Sequence, residues 1–147
     1  MLGKGANAMS IFGNLFKKKP VIELQDPVFG LITYIQGIWT FLPTKTEDGF
    51  MIVVDGPETG PSDQQRSFFK QLRSGLPEYE RRARDYMKSR VEQSVDVSQL
   101  STYAVQLGDD EETRAEEFLL ELSDKDAFII HRVSFRAGQA VDYGFDD

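Results

Sequence analysis

The sequence predicts a single α+β domain: a mainly antiparallel sheet built from two meanders, with two consecutive helices between them. Three observations lead there. Residues 30–42 alternate so that a turn at Gln36-Gly37 pairs like with like. Residues 62–91 carry apolar side chains at helical spacing, interrupted at Gly75-Leu-Pro77. From Tyr103 onward, short alternating runs return between polar turns. With 147 residues, 40% hydrophobic and 12% aromatic, the chain has the material for one core and is too aromatic to be disordered.

The elements follow in order. Val21 to Leu24 is a short strand, and Asp26-Pro27 opens the domain behind it. A two-residue turn at Gln36-Gly37 sets Ile35 against Ile38, Tyr34 against Trp39 and Thr33 against Thr40, all favourable cross-strand neighbours. Ile32 with Phe41 and Leu31 with Leu42 continue the ladder. Phe50 to Val54, almost wholly apolar, is a central strand. Ser62-Asp-Gln-Gln65 fits a capping box, with Phe68, Phe69 and Leu72 as the apolar face of the helix that follows and Gly75 as its stop. Pro77 starts a second helix, whose stripe is Tyr79, Ala83, Tyr86, Met87 and Val91. Tyr103–Leu107 is a strand and Asp109–Glu112 an acidic loop. Residues 115–122 fit either a helix or a strand. The hairpin turn at Ser123–Asp126, leading into Ala127–Phe135, favours the strand. A three-residue loop, Ala137–Gln139, then pairs Phe135 with Val141, Val133 with Tyr143 and His131 with Phe145.

The formal charge of −7 is unevenly spread. Residues 1–20 carry four Lys and no acid, whereas residues 101–147 carry four bases against twelve acids. Residues 1–20 therefore read as a basic tail, and 21–147 as the domain. Met9 is a second candidate start behind a short leader. In the tail, Ile11-Phe12 and Leu15-Phe16 precede Lys17-Lys18-Lys19, so Phe12, Phe16, Lys17, Lys18 and Lys19 are candidate contacts for weak peripheral binding to an anionic membrane. One or two apolar turns bury little surface, and docking of these Phe on the domain is the simpler outcome.

The sequence also removes chemistries. Zero Cys excludes disulfides, thiolate metal sites and cysteine nucleophiles. The lone His131 alternates with Ile129, Val133 and Phe135, which puts it on an apolar strand face as a packed residue rather than a general base. Asp142 falls on the opposite face of its strand from Tyr143, away from that His. The loop from Gly56 to Ser62 has a strand before it and a helix after it, as in phosphate-binding loops, but it lacks the Lys and carries Glu58. Asp109–Glu112 lacks the spacing of a calcium loop. Arg81, Arg82, Arg84, Lys88 and Arg90 interleave with Glu78, Glu80 and Asp85, the pattern of intrahelical ion pairs rather than of a nucleic-acid stripe. No catalytic residue, cofactor, metal or specific nucleic acid is expected, and nothing in the sequence sets an oligomeric state.

The arrangement of Asp26-Pro-Val-Phe-Gly30, Trp39 in a hairpin, Gly60-Pro-Ser62 opening two helices and the terminal Val141-Asp-Tyr-Gly-Phe-Asp-Asp147 resembles small bacterial α+β domains found among the immunity proteins of polymorphic toxins. That resemblance implies a cytoplasmic, non-enzymatic protein that binds a protein partner, and it carries over no functional residue. The acidic final third points to a basic partner, with Asp109, Asp110, Glu111, Glu112, Asp142 and Asp146 as the candidate contacts.

Overall fold

The computed structural model describes residues 22–41, 49–126 and 128–146. Among these residues, eight strands form one sheet in sequential order: β1 (Ile22–Asp26), β2 (Gly30–Ile35), β3 (Ile38–Phe41), β4 (Met51–Asp55), β5 (Ser101–Leu107), β6 (Phe118–Ser123), β7 (Ile130–Arg136) and β8 (Gln139–Asp146). Every neighbouring pair is antiparallel except β4 and β5. The two meanders thus lie side by side in one sheet. A parallel junction needs a crossover, and helices α1 (Asp63–Ser74) and α2 (Leu76–Met87) supply it.

The hairpin at Gln36-Gly37 has the predicted register, Thr33–Thr40, Tyr34–Trp39 and Ile35–Ile38. Both turn residues take positive φ, 48° and 92°, the left-handed conformation that a tight two-residue turn demands. The capping box of α1 is formed as expected: Ser62 accepts the Gln65 amide and the Gln65 side chain returns to the Ser62 amide. Residues 118–123 are a strand.

Several boundaries differ from expectation. The first strand runs Ile22–Asp26, because it pairs with β2 from Tyr34 back to Gly30. α2 ends at Met87, so Val91 lies beyond it, although Val91 still packs against the core. β5 begins at Ser101, two residues early, and β7 resumes only at Ile130. The last hairpin turns on two residues, Ala137-Gly138, with φ of 51° and 80°, and not on three. Phe135 consequently pairs with Ala140, and a bulge then restores Val133–Tyr143 and His131–Phe145. Asp109–Glu112 is not a loop. Asp109 caps a short helix, α3 (Asp110–Arg114), through a second capping box closed by Glu112.

One row of partners crosses all eight strands: Ile22, Tyr34, Trp39, Val54, Leu107, Phe118, Phe135 and Ala140. It belongs to the face that the helices cover. Phe68 and Tyr79 meet the Phe118 ring edge-on at 5.8 and 5.1 Å, and Phe118 stacks on Phe135 at 4.9 Å. Fully buried Phe69, Leu72, Ala83 and Met87 complete the layer from the helix side. Burial of each large apolar side chain contributes about 1.5–3 kcal/mol. The opposite face carries the row Glu23, Thr33, Thr40, Val53, Gln106, Leu119, Ser134 and Asp142, and no described helix lies over it. Among the described residues, no helix is long and apolar enough to cross a membrane.

Candidate functional site

Ligands of open sheets collect outside the carboxyl ends of parallel strands, where the two connecting loops diverge. Here the one parallel pair, β4 and β5, ends at Asp55 and Leu107. The loop after β4 leads to the N-terminus of α1, and that after β5 leads to α3. Gly56, Pro57 and Gly60 line the crevice between them together with Asp109, Asp110 and Glu111. This hollow measures about 680 Å³. Gly60 has φ 118°, and a Cβ there would lie 2.9 Å from Leu24, so glycine is required where the loop crosses β1.

A phosphate would need free amides at the start of α1, and two of them, those of Ser62 and Gln65, are already bonded within the capping box. The Ser62 hydroxyl accepts the Gln65 amide at 3.1 Å and donates to the Asp110 carboxylate. Gln65, buried behind them, donates to the backbone oxygens of Asp55 and Gly108 and ties the two strand ends together. The positive end of the α1 dipole therefore already faces a carboxylate. The acids Asp55, Asp109, Asp110 and Glu111 around it set a field that opposes an anion.

On the uncovered face, a second hollow of about 360 Å³ adjoins the first. Its floor includes Val53, Gln106, Leu119 and Ser134, and its rim carries Asp55, Glu112, Glu117 and Arg136. Arg136 donates to Glu117, and Arg66, the cation of the first hollow, is held by Asp26 at 2.8 Å and Asp63 at 3.0 Å. Asp55 borders both hollows, and its carboxylate has no hydrogen bond or ion pair among the described residues. The electrostatic surplus is negative on both sides of it.

Of the residues picked out by sequence, Asp109, Asp110, Glu111 and Glu112 gather at this end of the sheet, next to Asp55. Asp109 and Glu112 are occupied as mutual caps, whereas Glu111 is exposed. Asp142 and Asp146 lie elsewhere, four positions apart on the uncovered face of β8. Asp146 accepts from Arg132, which also pairs with Glu121 at 3.1 Å, and Asp142 has no side-chain partner among the described residues. Phe12, Phe16, Lys17, Lys18 and Lys19 lie outside the described residues. Sequence reasoning missed Asp55, Gln106, Leu119 and Ser134. The signal was present: two helices between two four-stranded meanders suffice to cover one face, so alternate residues of the central strands must line an open one.

The other candidates resolve into structure. His131 is buried, with Nδ1 2.8 Å from the Tyr143 hydroxyl and its ring stacked on Tyr143 at 5.9 Å. Burial lowers the imidazole pKa, with Asp124 opposing, and burial raises that of the Tyr143 phenol, with Glu92 adding to it. A neutral ring and a protonated phenol share one proton between these atoms and are satisfied. The bases of α2 are also engaged. Arg81 binds Glu78 at 2.6 Å and Asp85 at 2.7 Å, Arg82 reaches the Gly138 carbonyl at 2.7 Å, and Arg90, just past the helix, lies over the Tyr86 ring. No group of three or more His, Asp or Glu among the described residues is placed to hold a metal ion. Compared with protein-family models, curated proteins and solved structures, the chain matches none.

Proposed function

We propose that this chain is a cytoplasmic, non-enzymatic protein-binding module of the bacterial immunity type, and that it takes a basic partner at the acidic end of its sheet. The observation that carries the reading is Asp55. It is an exposed carboxylate, unpaired among the described residues, set between two hollows whose described cations, Arg66 and Arg136, are already bound to other acids. Glu111, Asp110 and Asp109 add charge on one side, and Glu112 adds it on the other. A concentrated field of one sign accelerates and orients the approach of an oppositely charged surface. The neutral floor of Val53, Gln106, Leu119 and Ser134 suits a side chain with an apolar stem and a cationic tip.

The test compares the tagged wild-type chain with Asp55→Lys/Glu111→Lys, expressed in its own host and recovered at low and moderate salt. Both positions are exposed, so the variant keeps its fold. The wild-type chain retains one stoichiometric basic protein that the variant loses. A wild-type chain that retains none at either salt overturns the reading.

A further inference from the structure

We infer that the outer edge of β8, unpaired among the described residues, receives an extended segment of the partner by strand addition, and that this segment presents an apolar–basic–apolar triplet. The inference rests on the proposed function for the charge of its occupant. β8 spans Gln139–Asp146, ends the sheet and carries neither Pro nor Lys. No described strand pairs with its outer edge. Such edges are usually blunted by short length, Pro, charged side chains or a bulge, and the charges of β8 are both acidic, which opposes an acidic strand and not a basic one. The one bulge here lies at the start, near Val141, and from Asp142 to Asp146 the pairing is regular.

The side chains of that stretch divide cleanly. Asp142, Gly144 and Asp146 share the uncovered face, and Tyr143 and Phe145 share the other. Phe145 is 55% exposed although it lies on the helix side, because the helical layer does not extend over it. A Cβ on Gly144 would meet nothing within 4 Å, so an open gap separates the two aspartates. The inner neighbour shows what fits such a gap. β7 sets His131, Arg132 and Val133 opposite Phe145, Gly144 and Tyr143, and Arg132 reaches from beside Gly144 to Asp146. An outer strand with Arg or Lys opposite Gly144 would place its cation between Asp142 and Asp146. Its flanking apolar residues would lie beside Tyr143 and Phe145. A second copy of β8 would instead bring Asp142 and Asp146 toward their equivalents, and like charges on adjacent strands destabilise.

The test uses the full chain and a blocked peptide, Ser-Thr-Val-Arg-Val-Thr-Ser, with Glu in place of Arg as its control. Backbone amide exchange is followed by NMR. The Arg peptide slows exchange of alternate amides in 142–146, and the Glu peptide binds about tenfold more weakly, a difference of about 1.4 kcal/mol. Gly144→Lys fills the gap with a like charge and removes Arg-peptide binding. Asp142→Lys reverses the preference between the two peptides, so a folding defect in one variant leaves the other informative. Unchanged Arg-peptide binding by Gly144→Lys overturns the inference. So does protection of 142–146 that grows with protein concentration alone, since the edge then belongs to a second copy. Peptide binding that Asp55→Lys abolishes and Asp142→Lys leaves intact overturns strand addition and keeps the proposed function. No protection by either peptide overturns strand addition by itself, and the co-purification result then decides the proposed function separately.

Discussion

The carboxylate of Asp26, in a residue only 2% exposed, holds the Arg66 guanidinium at 2.8 Å and joins the first hairpin to helix α1. Its second oxygen accepts the amides of Val28 and Phe29, each at 2.9 Å, which fixes the turn between β1 and β2. A buried charge is tolerable only when fully partnered, and here three donors converge on one residue. Asp26→Ala and Arg66→Ala should each lower unfolding free energy by about 3 kcal/mol in urea titrations. Because the second change removes a group already orphaned by the first, the double variant should fall short of the sum.

That pair also marks how far the sequence could be read. Asp26-Pro27 reads from sequence as the opening of the domain, and the turn that Asp26 builds there is local chemistry. Its partner lies forty positions away on the helix, and only the folded sheet brings them together. The same division runs through the molecule. The Gln36-Gly37 register followed from residues a few positions apart, and so did the Ser62–Gln65 cap. The helix at 110–114 was missed because a run of four acids reads as a solvated loop, although Asp109 and Glu112 have the spacing of a capping box. At the candidate site, the acidic run was legible, but its union with Asp55 depends on β4 and β5 being parallel neighbours. That junction is long-range and leaves no periodic signal.

Ser62 and Asp110 form the second long-range link, between the cap of α1 and the first turn of α3. Ser62→Ala removes the cap and the Asp110 contact together, and should cost about 1–2 kcal/mol. Asp110→Asn keeps an acceptor oxygen for the hydroxyl and should cost about 1 kcal/mol or less. Thermal melts of both single variants and the double should reveal coupling between them. Strict additivity would show that the hydroxyl and carboxylate act independently.

The basic face of α2 makes a separate claim about Glu78. Hydrogen bonds from Arg81 and then Arg82 lower its carboxyl pKa to about 2. Its stabilising share is complete above the ordinary carboxylate range and is lost as pH falls through that lowered value. Arg81→Gln should raise the Glu78 pKa toward 4.5, yet leave it depressed because Arg82 remains. Carboxyl carbon NMR titration reads the change directly. Global stability should hardly move, since the pair is exposed and screened. An unchanged Glu78 pKa would show that Arg81 is not its dominant partner in solution.

His131 sets a pH dependence of opposite origin. Burial lowers its pKa from 6.5, with Asp124 opposing, so the unfolded chain binds the proton more readily than the folded one. Stability is therefore full above pH about 6.5 and declines as pH falls from there toward the lowered folded value. Protonation also places a second donor against the Tyr143 hydroxyl, whose own proton is retained because its pKa is raised. Tyr143→Phe removes the partner of Nδ1 and should cost about 1–2 kcal/mol at neutral pH. His131→Phe/Tyr143→Phe removes both polar groups and keeps an aromatic stack beside Phe145. Urea midpoints for this double variant should fall less than wild type between pH about 7 and about 5. Carboxylates elsewhere contribute equally to both proteins, so the difference between the two profiles isolates the imidazole. Parallel profiles would show that His131 titrates alike in the folded and unfolded chains.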